Sequence, residues 1–168
     1  TPQRNYFIRS FYMPQTEVTI GQMKACIERG PCEAWDSNGG YATLVSWADR
    51  LAEGEEYAIR DVPYHQMLAY AEWVGGRLPT ELEWEFAARS RGTHNDFPWG
   101  AELPNHAEDE ACLANTHKCW LGQPNLPCSY PDDITEQGLC DMVGNLFEMT
   151  KSTWYVSYDH YNFFGETE

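Results

Sequence analysis

A single mixed domain, with short helices and strands set between long irregular loops, is what this sequence predicts, on three observations. Its 168 residues suit one domain and are enough to bury a real core. Hydrophobic residues make up 42% and aromatic residues 14%, too apolar a mixture for a disordered chain. Helical signals crowd the first 90 residues and then fade, because residues 93–140 place Pro98, Pro104, Pro124, Pro127 and Pro131 among turn-forming residues with hardly any periodicity. An ordered irregular stretch that long needs outside ties such as disulfides or a metal.

The elements follow in order. Residues 5–19 read as one or two strands broken near Pro14. A helix is predicted over Ile20 to Arg29, with Thr19 as N-cap and Gln22 completing a capping box. Gly30 stops it and Pro31 prevents its continuation. Ile20, Met23 and Ile27 share one face. Residues 33–60 read as irregular, with a short apolar segment at Leu44 to Trp47. A second helix is predicted over Tyr64 to Val74, turning Met67, Leu68, Ala71 and Val74 inward, and Gly75-Gly76 ends it. A third starts after Pro79, with Thr80 as N-cap and Glu83 as box partner, and runs to Arg89. Asp141 to Met149 reads as a short strand-like segment, and residues 152–164 as an aromatic tail.

The formal net charge is -15, and it is uneven. Residues 1–91 hold 13 acids against 9 Lys and Arg, whereas residues 92–168 hold 13 acids against Lys118 and Lys151 alone. So negative a surface repels phosphate backbones and anionic lipid and favours cations. No apolar run approaches the ~20 residues that span a bilayer. The sequence opens Thr1-Pro2-Gln3, which reads as a processed or excerpted chain. With no Cys-x-x-Cys, the six cysteines read as disulfides rather than a zinc site. Cys26 and Cys32 are close enough for a local staple, while Cys112, Cys119, Cys128 and Cys140 allow three pairings. Oxidised cysteines imply an extracytoplasmic compartment.

Three strings stand out. Gly75-Gly76-Arg77-Leu78-Pro79-Thr80-Glu81-Leu82-Glu83-Trp84-Glu85-Phe86-Ala87-Ala88-Arg89 is physically a helix start, with acids at the positive end of the dipole and arginines to pair with them. Phe97-Pro98-Trp99-Gly100 is an aromatic turn. In Gly138-Leu139-Cys140-Asp141-Met142-Val143-Gly144-Asn145-Leu146-Phe147-Glu148-Met149, an extended backbone would point the Gly144 and Leu146 carbonyls the same way. Asp141 and Glu148 flank them, giving hard oxygen ligands of the kind Ca²⁺ takes. The plain alternative is a polar strand edge.

Together with Ala114-Asn115, the upstream Thr16-Glu17-Val18-Thr19 and Ala69-Tyr70-Ala71-Glu72-Trp73, these strings resemble the formylglycine-generating enzyme (sulfatase-modifying factor) family over roughly residues 6–155. The resemblance implies an α+β fold, a variant of the C-type lectin fold with few regular elements, and bound calcium. Carried over by residue, one family calcium site falls on the Asp141 side chain, the Gly144 and Leu146 carbonyls and the Glu148 side chain. Asp141 stands where some members carry Asn. A second begins at the Asn115 side chain and the Thr116 carbonyl, but its remaining loop is rewritten here between Cys119 and Cys128.

The departures bear on activity. Family enzymes oxidise a substrate cysteine with O₂ and a copper(I) ion held by two cysteines. That pair follows an Arg-Gly-Gly-Ser-like strand, and residues 1–168 contain no matching segment. Phe147 and Met149 stand where the enzymes commonly carry tryptophan, and Cys26 and Cys32 resemble an arrangement in noncatalytic bacterial relatives. The expectation is therefore one domain over 1–168, incomplete at its C-terminus. It reads as a noncatalytic, extracytoplasmic binding or structural module stabilised by calcium and disulfides. A protein or another chain would complete the fold, with no nucleic acid and no transmembrane segment. The alternative is a copper-dependent formylglycine-generating oxidase whose catalytic cysteines lie beyond Glu168. A third option is a zinc site built from Cys112, Cys119, Cys128 and Cys140.

Overall fold

Thr19 begins the first helix by closing its end in both directions. Its side chain accepts from the Gln22 N–H while the Gln22 side chain accepts from the Thr19 N–H, satisfying two donors that the helix start leaves open. This computed structural model describes residues 6–36, 46–93, 95–100 and 124–152. Within them, helix α1 spans Ile20–Arg29, α2 Trp47–Leu51, α3 Tyr64–Trp73 and α4 Glu81–Ala88. Among the described residues, strand-like pairing takes the form of isolated antiparallel bridges, Thr19 with Ala58, Phe97 with Gly100, and Ile134 with Cys140.

Two apolar clusters organise this scaffold. In the first, Ile20, Met23 and Cys26 of α1 pack with Cys32, Trp47, Ile59 and Val62. The Cys26–Cys32 disulfide fastens the end of α1 into that cluster. Trp35 leans on Trp47 with ring centroids 5.4 Å apart, and the Trp47 N–H donates to the Trp35 carbonyl at 2.8 Å. The buried Gln66 of α3 accepts the Glu33 N–H at 2.8 Å. Gly30 is needed for space: a Cβ there would sit 2.7 Å from the Trp73 ring, although its φ of −124° suits any residue. In the second cluster Ala87 of α4 packs with Leu139 and Met142, flanked by Phe11, Met13 and Trp84. This cluster holds the acidic 139–148 segment against α4.

Several expectations need correction. The strands expected over residues 5–19 do not form within the described residues 6–19: the Ile59 N–H donates to the Val18 carbonyl and the Cys140 N–H to the Gln15 carbonyl, each a separate backbone tie. A ladder needs a continuous partner, and here the partners come from two unrelated segments. The region read as irregular contains α2, capped by Ser46, whose hydroxyl accepts the Asp49 N–H; residues 44 and 45 lie outside the described residues. On α3, Leu68 and Val74 are exposed rather than inward, because the helix meets the first cluster through Met67, Ala69 and Tyr70. The aromatic tail lies outside the described residues beyond Ser152.

Candidate metal centre

Asp141 sits at φ 58°, Gly144 at φ 130° and Asn145 at φ 52°. Those are left-handed conformations that glycine and short polar residues adopt most readily. Residues 141–148 are therefore a chain of turns, and the extended segment expected from the sequence is corrected. The second cluster pins the start of this loop through Leu139 and Met142.

Hydrogen bonds then fix the carboxylates around it. Asp141 is buried, and its Oδ2 accepts the Cys128 N–H at 2.6 Å. Its own N–H donates to the Asp133 carbonyl at 3.1 Å. Asp133, 1% exposed, accepts the Val143 N–H at 3.1 Å through Oδ2. Asn145 is a two-way clip: Oδ1 accepts the Asn125 N–H at 2.9 Å, and Nδ2 donates to Glu17 at 2.8 Å. Glu148 accepts a hydrogen bond from the Trp84 ring N–H of α4. Gly144 and Leu146, the expected carbonyl ligands, are half-buried in the same loop.

The electrostatics of this group are unfavourable without a compensating charge. Burial pushes the Glu17 carboxyl up to about 8, with the Asn145 hydrogen bond opposing and Asp141 and Glu148 adding repulsion. Burial likewise raises Asp133 to about 7, again with repulsion from Asp141 and Glu148. Asp141 and Glu148 are themselves raised, first by desolvation. Although Glu148 is exposed as a residue, its carboxylate is turned in against Trp84. Glu17 Oε1 and Asp133 Oδ1 are buried without a hydrogen-bond partner. Burial on this scale, with two orphaned oxygens and the repulsion of Asp141 and Glu148 on Glu17 and Asp133, favours uptake of protons or a neighbouring cation.

Among the described residues no three His, Cys, Asp or Glu side chains converge as ligands of one ion. The residues that could hold a hard cation here are the two carboxylates, Asp141 and Glu148, that the family resemblance assigns, together with the Gly144 and Leu146 carbonyls. Asn115 and Thr116 of the second expected site lie outside the described residues. Sequence reasoning missed the roles of Asp133 and Asn145 and read Glu17 only as part of a motif. The available signals were an Asp132-Asp133 pair in an irregular stretch and an Asn after Gly144.

The cysteines are partly resolved. Cys26 is bonded to Cys32 and Cys128 to Cys140, and no described cysteine is free. Cys128 and Cys140 are thus unavailable to the four-cysteine zinc site considered above, and Cys112 and Cys119 lie outside the described residues. Copper(I) needs thiolates, and the four described cysteines, held as disulfides, do not supply them.

The Gly75–Arg89 string is a capped helix start, as its chemistry suggests. The Thr80 hydroxyl accepts the Glu83 N–H at 3.2 Å and Glu83 accepts the Thr80 N–H at 2.8 Å. Arg77 grips Glu83 with two hydrogen bonds of 2.8 and 2.6 Å.

Comparison with known proteins agrees with the motifs. The sulfatase-modifying factor enzyme 1-like domain matches residues 1–167. A formylglycine-generating enzyme of Mycobacterium tuberculosis is 31% identical over 80% of this chain and 49% of its own length. A hercynine oxygenase of the same organism is 32% identical over 70% of this chain and 27% of its own. A serine/threonine-protein kinase pkn1 of Chlamydia caviae is 30% identical over 95% of this chain and 25% of its own. The chain spans half or less of the length of these curated relatives. With a family match over nearly every residue, and with the capped helix start and the acidic loop in the order the motifs require, the chain belongs to the sulfatase-modifying factor enzyme 1-like family.

Proposed function

We propose that this chain serves as a noncatalytic binding or structural module of its family, working outside the cytoplasm and stabilised by calcium and disulfides. In this reading residues 1–168 form one α+β domain of the C-type lectin-like variant. Asp141 and Glu148 bind calcium through their side chains, and Gly144 and Leu146 through their carbonyls. Asn115 and Thr116 begin a second site. The observation that carries the calcium reading is the buried carboxylate group around the 141–148 loop, with Glu17 Oε1 and Asp133 Oδ1 left without partners. A divalent cation beside Asp141 and Glu148 offsets the cost of burying these carboxylates and the repulsion that Asp141 and Glu148 exert on Glu17 and Asp133. The two disulfides among the described residues support an oxidising compartment. Among the described residues, no helix is long and apolar enough to cross a membrane.

The test is calcium titration of the metal-stripped protein by calorimetry, with thermal melting in calcium and in excess chelator. Calcium at about 100 times its Kd should add about 2.7 kcal/mol of stability. In a domain of this size that is an upward Tm shift of about 5–10 °C. No heat of binding and superimposable melting curves would refute the calcium reading.

The second reading is a formylglycine-generating oxidase, favoured by similarity to the mycobacterial enzyme over 80% of the chain. It is decided by the coding sequence after Glu168, where an Arg-Gly-Gly-Ser-x-x-Cys-x-x-x-x-Cys segment would replace the noncatalytic reading. Conversion of a sulfatase-peptide cysteine to formylglycine by copper-loaded protein, followed by mass spectrometry, is the direct assay.

A further inference from the structure

Asp141 is the most buried of the described calcium ligands proposed above, and a disulfide is among the ties that hold it. Cys140 immediately precedes it and is bonded to Cys128, and the Cys128 N–H donates the 2.6 Å hydrogen bond that orients the Asp141 carboxylate. The same crosslink therefore fixes the Asp141 backbone from one side and its side chain from the other. Cys128 occupies φ 61°, a conformation that an unconstrained cysteine rarely keeps. Its partner is pinned independently, since the Cys140 N–H donates to the Gln15 carbonyl at 2.8 Å and Cys140 bridges to Ile134. Opening the crosslink leaves Cys140 tied to Gln15, and leaves Cys128 held only through its neighbours Asn125 and Ser129 and through its bond to Asp141.

From this arrangement we infer that the Cys128–Cys140 disulfide positions Asp141 for calcium, so that the thiol redox state of this pair sets calcium affinity; the inference rests on the calcium reading above. Cys140 is buried, whereas Cys128 is half-buried, so Cys128 is the side from which the pair is approached. A dithiol reductant supplies the two electrons. One of its thiolates attacks the Cys128 sulfur and expels Cys140 as a thiolate, which takes a proton. The reductant's second thiolate then closes on the first sulfur, releasing the Cys128 thiol and leaving the reductant as a cyclic disulfide. Loss of a hydrogen bond that orients a metal ligand weakens metal binding by roughly 10–100-fold. Linkage is reciprocal, so calcium must favour the oxidised pair by the same factor. For a two-electron couple that is a reduction potential more negative by about 30 mV per tenfold. Cys26–Cys32 lies in the other apolar cluster and should not respond.

The experiment begins with calcium calorimetry on the oxidised protein. The protein is then equilibrated in dithiothreitol redox buffers with and without saturating calcium, and each cysteine is read by differential alkylation and mass spectrometry. The expected result is calcium binding, a more negative potential for Cys128–Cys140 in calcium, and no shift for Cys26–Cys32. Calcium binding with an unmoved Cys128–Cys140 potential overturns the coupling and leaves the calcium reading standing. An equal shift at both disulfides also overturns it, since general stabilisation would then be the cause. Absence of binding to the oxidised protein removes the calcium reading and this inference together. A C128S/C140S variant that melts cooperatively should bind calcium about 10–100-fold more weakly, and unchanged affinity in it would likewise overturn the coupling.

Discussion

Arg77 and Glu83 show how one pair at a helix start becomes a pH-dependent contribution to stability. Hydrogen bonds from Arg77 and from the Thr80 N–H and hydroxyl hold the Glu83 carboxyl down to about 2, against a usual 4.5. Because the folded value lies below the unfolded one, the contribution is fully present above about pH 4.5 and is lost as pH falls toward 2. Arg77 is half exposed, so solvent screening keeps the pair modest. Arg77→Ala should destabilise by about 1 kcal/mol at pH 7. Urea unfolding should show that difference shrinking to nothing near pH 2; a difference constant with pH would mean that Arg77 acts through packing. The Thr80 and Glu83 box was legible in the sequence, since capping is a contact between residues three apart. Asn145 was not, because its meaning depends on Glu17, 128 residues away.

At the scale of elements, α1, α3 and α4 were readable, whereas the five-residue α2 and the absence of strands from the described residues were not. α1 falls on Ile20–Arg29 as predicted, since its cap, apolar face and Gly30 stop all lie within twelve residues. The strand-like segments failed because alternation describes what an extended chain could do, while pairing requires a partner that local sequence does not specify. The contact between α1 and α3 gives a second prediction. Adding a Cβ at Gly30 brings it against Trp73, so Gly30→Ala should cost about 1–3 kcal/mol by overpacking. Denaturant unfolding in a double-mutant cycle should recover most of that loss when Trp73 is also Leu. Equal costs in both backgrounds would move the cause to the backbone. The Glu148–Trp84 hydrogen bond ties the acidic loop to α4 in the same way. Trp84→Phe should therefore weaken calcium binding by about tenfold in calorimetry, as loss of an outer-shell partner does.

Over the whole molecule, the acidic excess and the lack of regular sheet among the described residues belong to one problem. A chain of net charge -15 repels itself, and its described part closes partly over buried carboxylates rather than over a continuous apolar layer. In calcium-free protein the Glu17 and Asp133 carboxyls, at about 8 and about 7, lie above their unfolded values of 4.5 and 3.8. The native state then binds more protons, so stability should rise as pH falls from 8 toward 5. Saturating calcium should flatten that slope, because the cation takes over the neutralisation. Melting curves in chelator and in calcium across this range test both statements, and a chelator series with no slope would contradict the burial of these carboxyls. The sequence by itself determined the family, the capped helices, the charge imbalance and the oxygen-rich 141–148 loop, all of which are local patterns or ordered motifs. Tertiary structure decided that Cys128 pairs with Cys140, that the loop curls instead of extending, and that Glu17 and Asp133 face the charges of Asp141 and Glu148. Those outcomes depend on which distant segments share a low-dielectric interior, and no local spacing encodes that.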